Sequence, residues 1–219
     1  KGSGNSSMSN ADKLRELSRG VTILVHNRQI ALAAVVRVIC NLTLYGFPVI
    51  MPLYLATTNN GGGAWFEVSQ WSQIWGFQFV VTIFGNVFWG RMGDSHGWMR
   101  QMRRFGCWFC VIGTLGMYYI PQFFGANMVL MCADAVVLGL GISAFVPMGA
   151  VFPALALEHK GAAISAHNFA SGLATFFGPL IATVLVSTIG FGGVCWTYAI
   201  CYAIGSLVTF GIHPHQPGF

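Results

Sequence analysis

Apolar residues in this chain run in long, nearly unbroken blocks. They show neither the alternation of a half-buried strand nor the one-sided stripe of a surface helix. Six blocks approach the ~20 residues a helix needs to cross the hydrocarbon core of a bilayer. They lie at about 30–57, 71–90, 105–121, 127–150, 162–188 and 192–212. The pattern predicts an all-α fold: a polytopic membrane protein with a six-helix transmembrane bundle over residues 29–212, a polar segment over 1–28 and a short tail over 213–219. The first and fifth blocks are long enough to tilt or to continue past the bilayer. Proline and glycine recur inside the blocks, as Pro48, Pro52, Pro147, Pro153, Pro179, Gly139, Gly141, Gly172 and Gly178. Neighbouring helices can satisfy the backbone groups that proline frees, and small residues let helices approach closely.

Composition closes off a soluble domain. Of the 219 residues, 55% are hydrophobic and 8% charged. A soluble domain carries about 25% charged residues, so this chain has too few to cover itself in water. Its net charge of +5 does not point to nucleic acid, because the basic residues form short clusters at block ends and no basic face. Their placement predicts orientation instead. Ten of the eleven Lys and Arg residues lie on one side: Lys1, Lys13, Arg15, Arg19 and Arg28 before block one, Arg91, Arg100, Arg103 and Arg104 between blocks two and three, and Lys160 between four and five. The opposite connections, near 58–70, 122–126 and 189–191, hold none. The positive-inside rule then makes both termini cytoplasmic, in a plasma membrane such as a bacterial inner membrane. The polar start, Lys1-Gly-Ser-Gly-Asn-Ser-Ser-Met-Ser-Asn10, reads as a linker without a cleavable signal peptide. All six cysteines fall inside blocks. Cys107 and Cys110 form a C-x-x-C pattern with no second pair nearby, which predicts helix packing and neither metal nor cofactor.

An ionisable group inside a bilayer is costly and calls for a reason. Arg37 is the eleventh cation and sits within block one. Asn41 and Tyr45 follow at i+4 and i+8, on one face of a continuous helix. A guanidinium beside an amide and a phenol suits a polyhydroxylated or anionic solute; a structural Arg paired with a carboxylate is the plainer reading. In block two, Trp71, Trp75, Gln78 and Thr82 follow helical spacing, and Trp89 continues the row. Rings and amides of this kind, Trp75 and Gln78 above all, suit sugar-like ligands; interfacial Trp residues are the alternative. Asp134 in block four and His167 in block five are candidate proton-coupling groups. Block five also carries a small, polar face of Gly161, Ser165, Asn168, Gly172, Thr175 and Pro179, from which Asn168 is the candidate for solute contact.

Between blocks two and three the chain reads Gly90-Arg-Met-Gly-Asp94-Ser-His-Gly97-Trp98-Met-Arg100-Gln-Met-Arg103-Arg104. A tight turn is expected there, with one acid among four arginines. This stretch resembles the loop motif G-x-x-x-D-R/K-x-G-R/K of the major facilitator superfamily. Gly90, Asp94 and Gly97 match, while Ser95 and Trp98 replace basic residues. Further stretches, Met117-Tyr-Tyr-Ile-Pro-Gln-Phe-Phe-Gly-Ala-Asn127, Val146 through Asn168 and Gly192-Gly-Val-Cys-Trp196, resemble the second half of polyol permeases, the ribitol and D-arabinitol transporters.

The resemblance implies twelve spans in two six-helix halves, of which this chain supplies spans seven to twelve. It also implies a small-molecule solute bound between the halves near mid-membrane, proton coupling, and rocking of the halves to alternate access. Gly90, Asp94, Gly97 and Arg100 would then form a cytoplasmic gating loop, with Asp94 packed against a helix of the N-terminal half. An organic-acid:proton symporter of the same superfamily is the nearest rival, because Arg37 binds a carboxylate as readily as hydroxyls. A complete six-span carrier working as a dimer is physically allowed. A six-span membrane enzyme or non-transporting subunit is the alternative of another class. The chain carries no His-Glu-x-x-His or paired intramembrane acids, and His26, His96, His159, His213 and His215 lack metal-ligand spacing.

Overall fold

The computed structural model describes residues 22–56 and 64–216. Helix α1 (Arg28–Ile39) and α2 (Leu42–Ala56) form the first leg of the bundle. Helix α3 (Val68–His96) is the second leg. The short α4 (Trp98–Gln101), a π-helical turn over Met102–Cys107 and α5 (Trp108–Phe124) make the third. Helices α6 (Met128–Ser143) and α7 (Met148–Leu155) make the fourth. Helix α8 (Lys160–Val208) folds back on itself at Gly190 and supplies the last two legs.

Local chemistry sets the ends of these elements. The Asn27 side chain accepts from the Gln29 and Ile30 amides at the start of α1. Asn127 does the same for Leu130 at the start of α6. At Gly190 the backbone takes φ 70° and ψ −179°, a region that residues with a Cβ avoid. A glycine there lets the last two legs meet in a hairpin with almost no loop.

Four helical stretches are long and apolar enough to cross a membrane by length and composition: Arg28–Ala56, Trp98–Phe124, Met128–Leu155 and Leu157–Gly211. The last contains the Gly190 fold, so it counts as two legs. The remaining leg, α3, has 29 residues, roughly 43 Å at the helical rise; its amides and its charged end lower its hydropathy. The protein is thus an all-α membrane bundle. Its outer surface is apolar, with Phe84, Phe123, Val129, Phe176 and Leu207 each at least 60% exposed, as expected of groups facing lipid or another helix.

Glycines govern the closest approaches. A Cβ on Gly178 would lie 3.0 Å from the Leu42 carbonyl oxygen and 3.2 Å from the Gly46 nitrogen, so α2 and the first leg of α8 cross there in near backbone contact. The Tyr198 hydroxyl, from the second leg of α8, fills the space beside Gly46 and donates to the Gly178 carbonyl at 2.6 Å. The first leg breaks at Cys40–Asn41. There the Tyr202 hydroxyl donates to the Cys40 carbonyl at 3.3 Å and is itself bonded to Thr43 Oγ1 at 2.6 Å. A buried tyrosine thus satisfies backbone that the broken helix leaves open.

The stretch from Gly90 to Arg104 differs from the loop expected of it. Helix α3 continues through His96 and α4 begins at Trp98, so Gly97 alone joins them. Its φ of 95° explains the glycine. Beyond it, the π-helical turn carries Arg103, whose Nε donates to Thr209 Oγ1 at 3.1 Å and whose guanidinium lies 3.5 Å over the Phe210 ring. The cysteines behave as packing residues: Cys107 and Cys110 are fully buried and free.

Candidate functional site

Four legs meet around a groove of about 290 Å³. Arg37 and Asn41 come from the first leg, Thr82 and Asn86 from α3, Phe145 and Val146 from the break between α6 and α7 with Ile142, Met148 and Gly149 on either side of it, and His167 from α8. The mixture is that of a small-molecule site, an apolar wall with a few convergent polar groups. A larger recess of about 640 Å³ lies at the basic end between Thr22–His26 and Glu158–Ala162. Its lining includes none of the polar groups inside the apolar blocks, so the smaller groove is the better candidate.

Arg37 dominates the groove. Its Nη2 donates to Ser171 Oγ at 3.2 Å and its Nη1 reaches Cys40 Sγ at 3.7 Å, while buried Nε has no partner among the described residues. Asn41 Nδ2 shares the Ser171 hydroxyl at 3.5 Å. Among the described residues, no acidic side chain lines the groove. The guanidinium is therefore held by neutral groups, leaving donor capacity for a ligand.

On α3, Thr82 Oγ1 donates to the Gln78 carbonyl at 2.9 Å and accepts from Gln78 Nε2 at 3.0 Å. Gln78 is fully buried, with Oε1 unpartnered among the described residues, so it supports Thr82 from beneath the groove wall. Trp75 is also buried, with its ring 5.3 Å from that of Trp71 and 6.3 Å from that of Phe47. The tryptophans pack the core and do not line the groove.

Arg37, Asn41 and His167 thus come together in one lining. Tyr45 lies beyond the break at Cys40–Asn41, where the helical register of α1 is lost, and its Cβ faces Gly178. Asn168 is exposed, with Oδ1 3.2 Å from His167 Nδ1. Asp134 is buried against Gly116 of α5, with Oδ2 unpartnered among the described residues, and the groove lining does not include it. Ser171, Asn86, Phe145 and Met148 join the site without having been singled out. A lone serine in a small-residue span carries no signal, and the apolar pair enters only because the chain breaks at Ala144–Pro147.

At the basic end, Asp94 Oδ1 accepts from Trp98 Nε1 at 3.1 Å. The acid of the loop motif therefore has a partner within this chain, at the position where the motif carries a basic residue. Gly90 lies within α3, and Arg100 is exposed on α4.

Residues 27–219 match the family model of the Major Facilitator Superfamily. Over 208 residues the chain is 42% identical to a D-arabinitol transporter and to a ribitol transporter, both of Klebsiella pneumoniae, covering 95% of this chain and 48% of each relative. Over 197 residues it is 36% identical to an alpha-ketoglutarate permease of Bacillus subtilis (strain 168), covering 90% of this chain and 44% of the relative. The chain spans about half the length of the curated relatives it matches. The resemblance read from the Gly90–Gly97 motif and the Val146–Asn168 stretch is borne out.

Proposed function

Because this chain belongs to the Major Facilitator Superfamily, we propose that it forms the C-terminal six-helix half of a secondary transporter moving a polyol or sugar-like solute together with a proton. The observation that carries the reading is the groove around Arg37. It joins four legs, combines an apolar wall with amide, hydroxyl, imidazole and guanidinium groups, and contains no carboxylate. Solute hydroxyls accept from the Arg37 guanidinium and the Asn41 amide, while Phe145 and Met148 cover C–H surface. Thr82, positioned by Gln78, and Asn86 complete the polar set.

The N-terminal six-helix half closes the groove from the other side, and the two halves rock about it to alternate access. His167 is the proton-exchanging group, since it lines the groove and Asp134 does not. The basic end, with Arg91, Arg100, Arg103, Arg104 and Lys160, faces the cytoplasm of a bacterial inner membrane. The Gly90–Arg100 turn forms the hinge of the cytoplasmic gate.

A second reading rests on the same cation. A guanidinium without an acidic neighbour suits a carboxylate bidentately, which makes a dicarboxylate or keto acid the alternative solute. Uptake of labelled D-arabinitol, ribitol and alpha-ketoglutarate by cells expressing the intact gene, with and without a protonophore, separates the two. Protonophore-sensitive polyol uptake is expected. Uptake of the keto acid alone would replace the polyol reading, and uptake of none would remove both.

A further inference from the structure

Gln216 lies far from the groove, yet it is 94% buried and both ends of its amide are used. Its Oε1 accepts from the Trp98 backbone N–H at 2.7 Å, and its Nε2 donates to the Gly93 carbonyl at 2.9 Å. The first amide of a helix has no acceptor within that helix. Here the residue before it is Gly97, which has no side chain to cap with, so a glutamine 118 positions away supplies the cap. The Gly93 carbonyl takes a second bond from the Gly97 N–H at 3.0 Å, using both lone pairs. Gln216 is held in place by its own segment. Ile212 is buried, and the His213 N–H donates to Gln29 Oε1 at 3.1 Å.

The clamp is packed onto the groove wall. A Cβ on Gly93 would lie 3.0 Å from Gln101 Oε1 and 3.3 Å from Pro147 Cγ, so the glycine seats directly on both residues. Gln101 is 99% buried and donates through Nε2 to the Ala144 carbonyl at 3.0 Å. Ala144 lies in the break between α6 and α7, next to Phe145 and Val146 of the groove wall.

We infer that Gln216 is a positioning residue for the groove: it clamps the Gly93–Trp98 turn and, through Gln101 and the Ala144 carbonyl, fixes the wall at Phe145 and Val146. The inference rests on the transport reading for its consequence but not for its geometry. Gln216, Gly93, Gln101 and Ala144 are all buried, so a change at the clamp reaches the wall through packed matter.

The test uses the intact protein in detergent and in cells, with Gln216→Leu, which removes both bonds at similar size, and Gln101→Met, which removes the donation to Ala144. Hydrogen–deuterium exchange of the backbone is followed over residues 93–101 and 143–149. In Gln216→Leu, exchange is expected to rise roughly tenfold at the Trp98 amide and to rise also over 143–149. In Gln101→Met it rises over 143–149. In uptake assays both variants raise KM for D-arabinitol several-fold at matched membrane abundance. Loosening confined to 93–101, or faster exchange at both segments with KM unchanged, would overturn the inference. Because exchange is read without solute, absence of polyol uptake by the wild-type protein would count against the transport reading alone.

Discussion

At the residue scale, Arg37 is the group around which the groove is organised, and its exceptional place was legible in the sequence. One cation in an otherwise apolar block, with all the others at block ends, marks a position that lipid would not tolerate without a reason. Asn41 shares the site through Ser171. Tyr45 does not, because spacing by four assumes an unbroken helix and the chain breaks at Cys40–Asn41. Replacing Arg37 with Lys keeps the charge and loses the fork. Uptake by Arg37→Lys is therefore expected between that of the wild type and that of Arg37→Ala, measured as initial rates at equal membrane abundance. His167→Asn addresses the proton. Accumulation against a gradient should be lost while exchange of solute between the two sides persists, as measured by counterflow. Loss of both would instead make His167 a solute-binding or structural residue.

At the scale of elements, each apolar block corresponds to one leg, because block length is dictated by the bilayer, but α3 runs on to His96 and the third leg starts at Trp98, several residues outside the blocks at 71–90 and 105–121. The contacts between legs were not legible, since they join positions far apart in the chain. Tyr202 at the Cys40 carbonyl and Gln216 at Trp98 are two cases; nothing local distinguishes either residue. Tyr202→Phe leaves Thr43 Oγ1 and the Cys40 carbonyl without their partner, at a cost of about 1–2 kcal/mol. A lowered thermal unfolding temperature in detergent is expected, and an unchanged one would mean that water or a neighbouring group replaces the hydroxyl. Gly190→Ala tests the hairpin in α8. Beyond the neighbouring stretch of its own helix, nothing among the described residues lies within 4 Å of the added Cβ, so any loss is backbone strain of roughly 1–3 kcal/mol. Equal thermal stability of the variant and the wild type would contradict the positive-φ fold between the last two legs.

At the scale of the whole molecule, the bundle leaves large apolar side chains uncovered along the first leg of α8, with Phe176 60% and Val184 53% exposed. Lipid covers such a face equally well, but the relatives have about twice this chain's length, which favours the proposed N-terminal half as its cover. The chain expressed alone is expected to self-associate or to lose stability in detergent. A monodisperse monomer with transport activity, seen by light scattering and reconstitution, would contradict the two-half reading.

The central claim is that Arg37 binds the solute within a transport groove. The most direct measurement is the initial rate of labelled D-arabinitol uptake by cells expressing the intact gene, wild type against Arg37→Ala, with membrane abundance matched by immunoblot. Charge-assisted hydrogen bonds contribute about 1.5–3 kcal/mol, so kcat/KM should fall roughly 10- to 100-fold. Uptake by Arg37→Ala equal to that of the wild type would show that the guanidinium is structural and that the solute binds elsewhere.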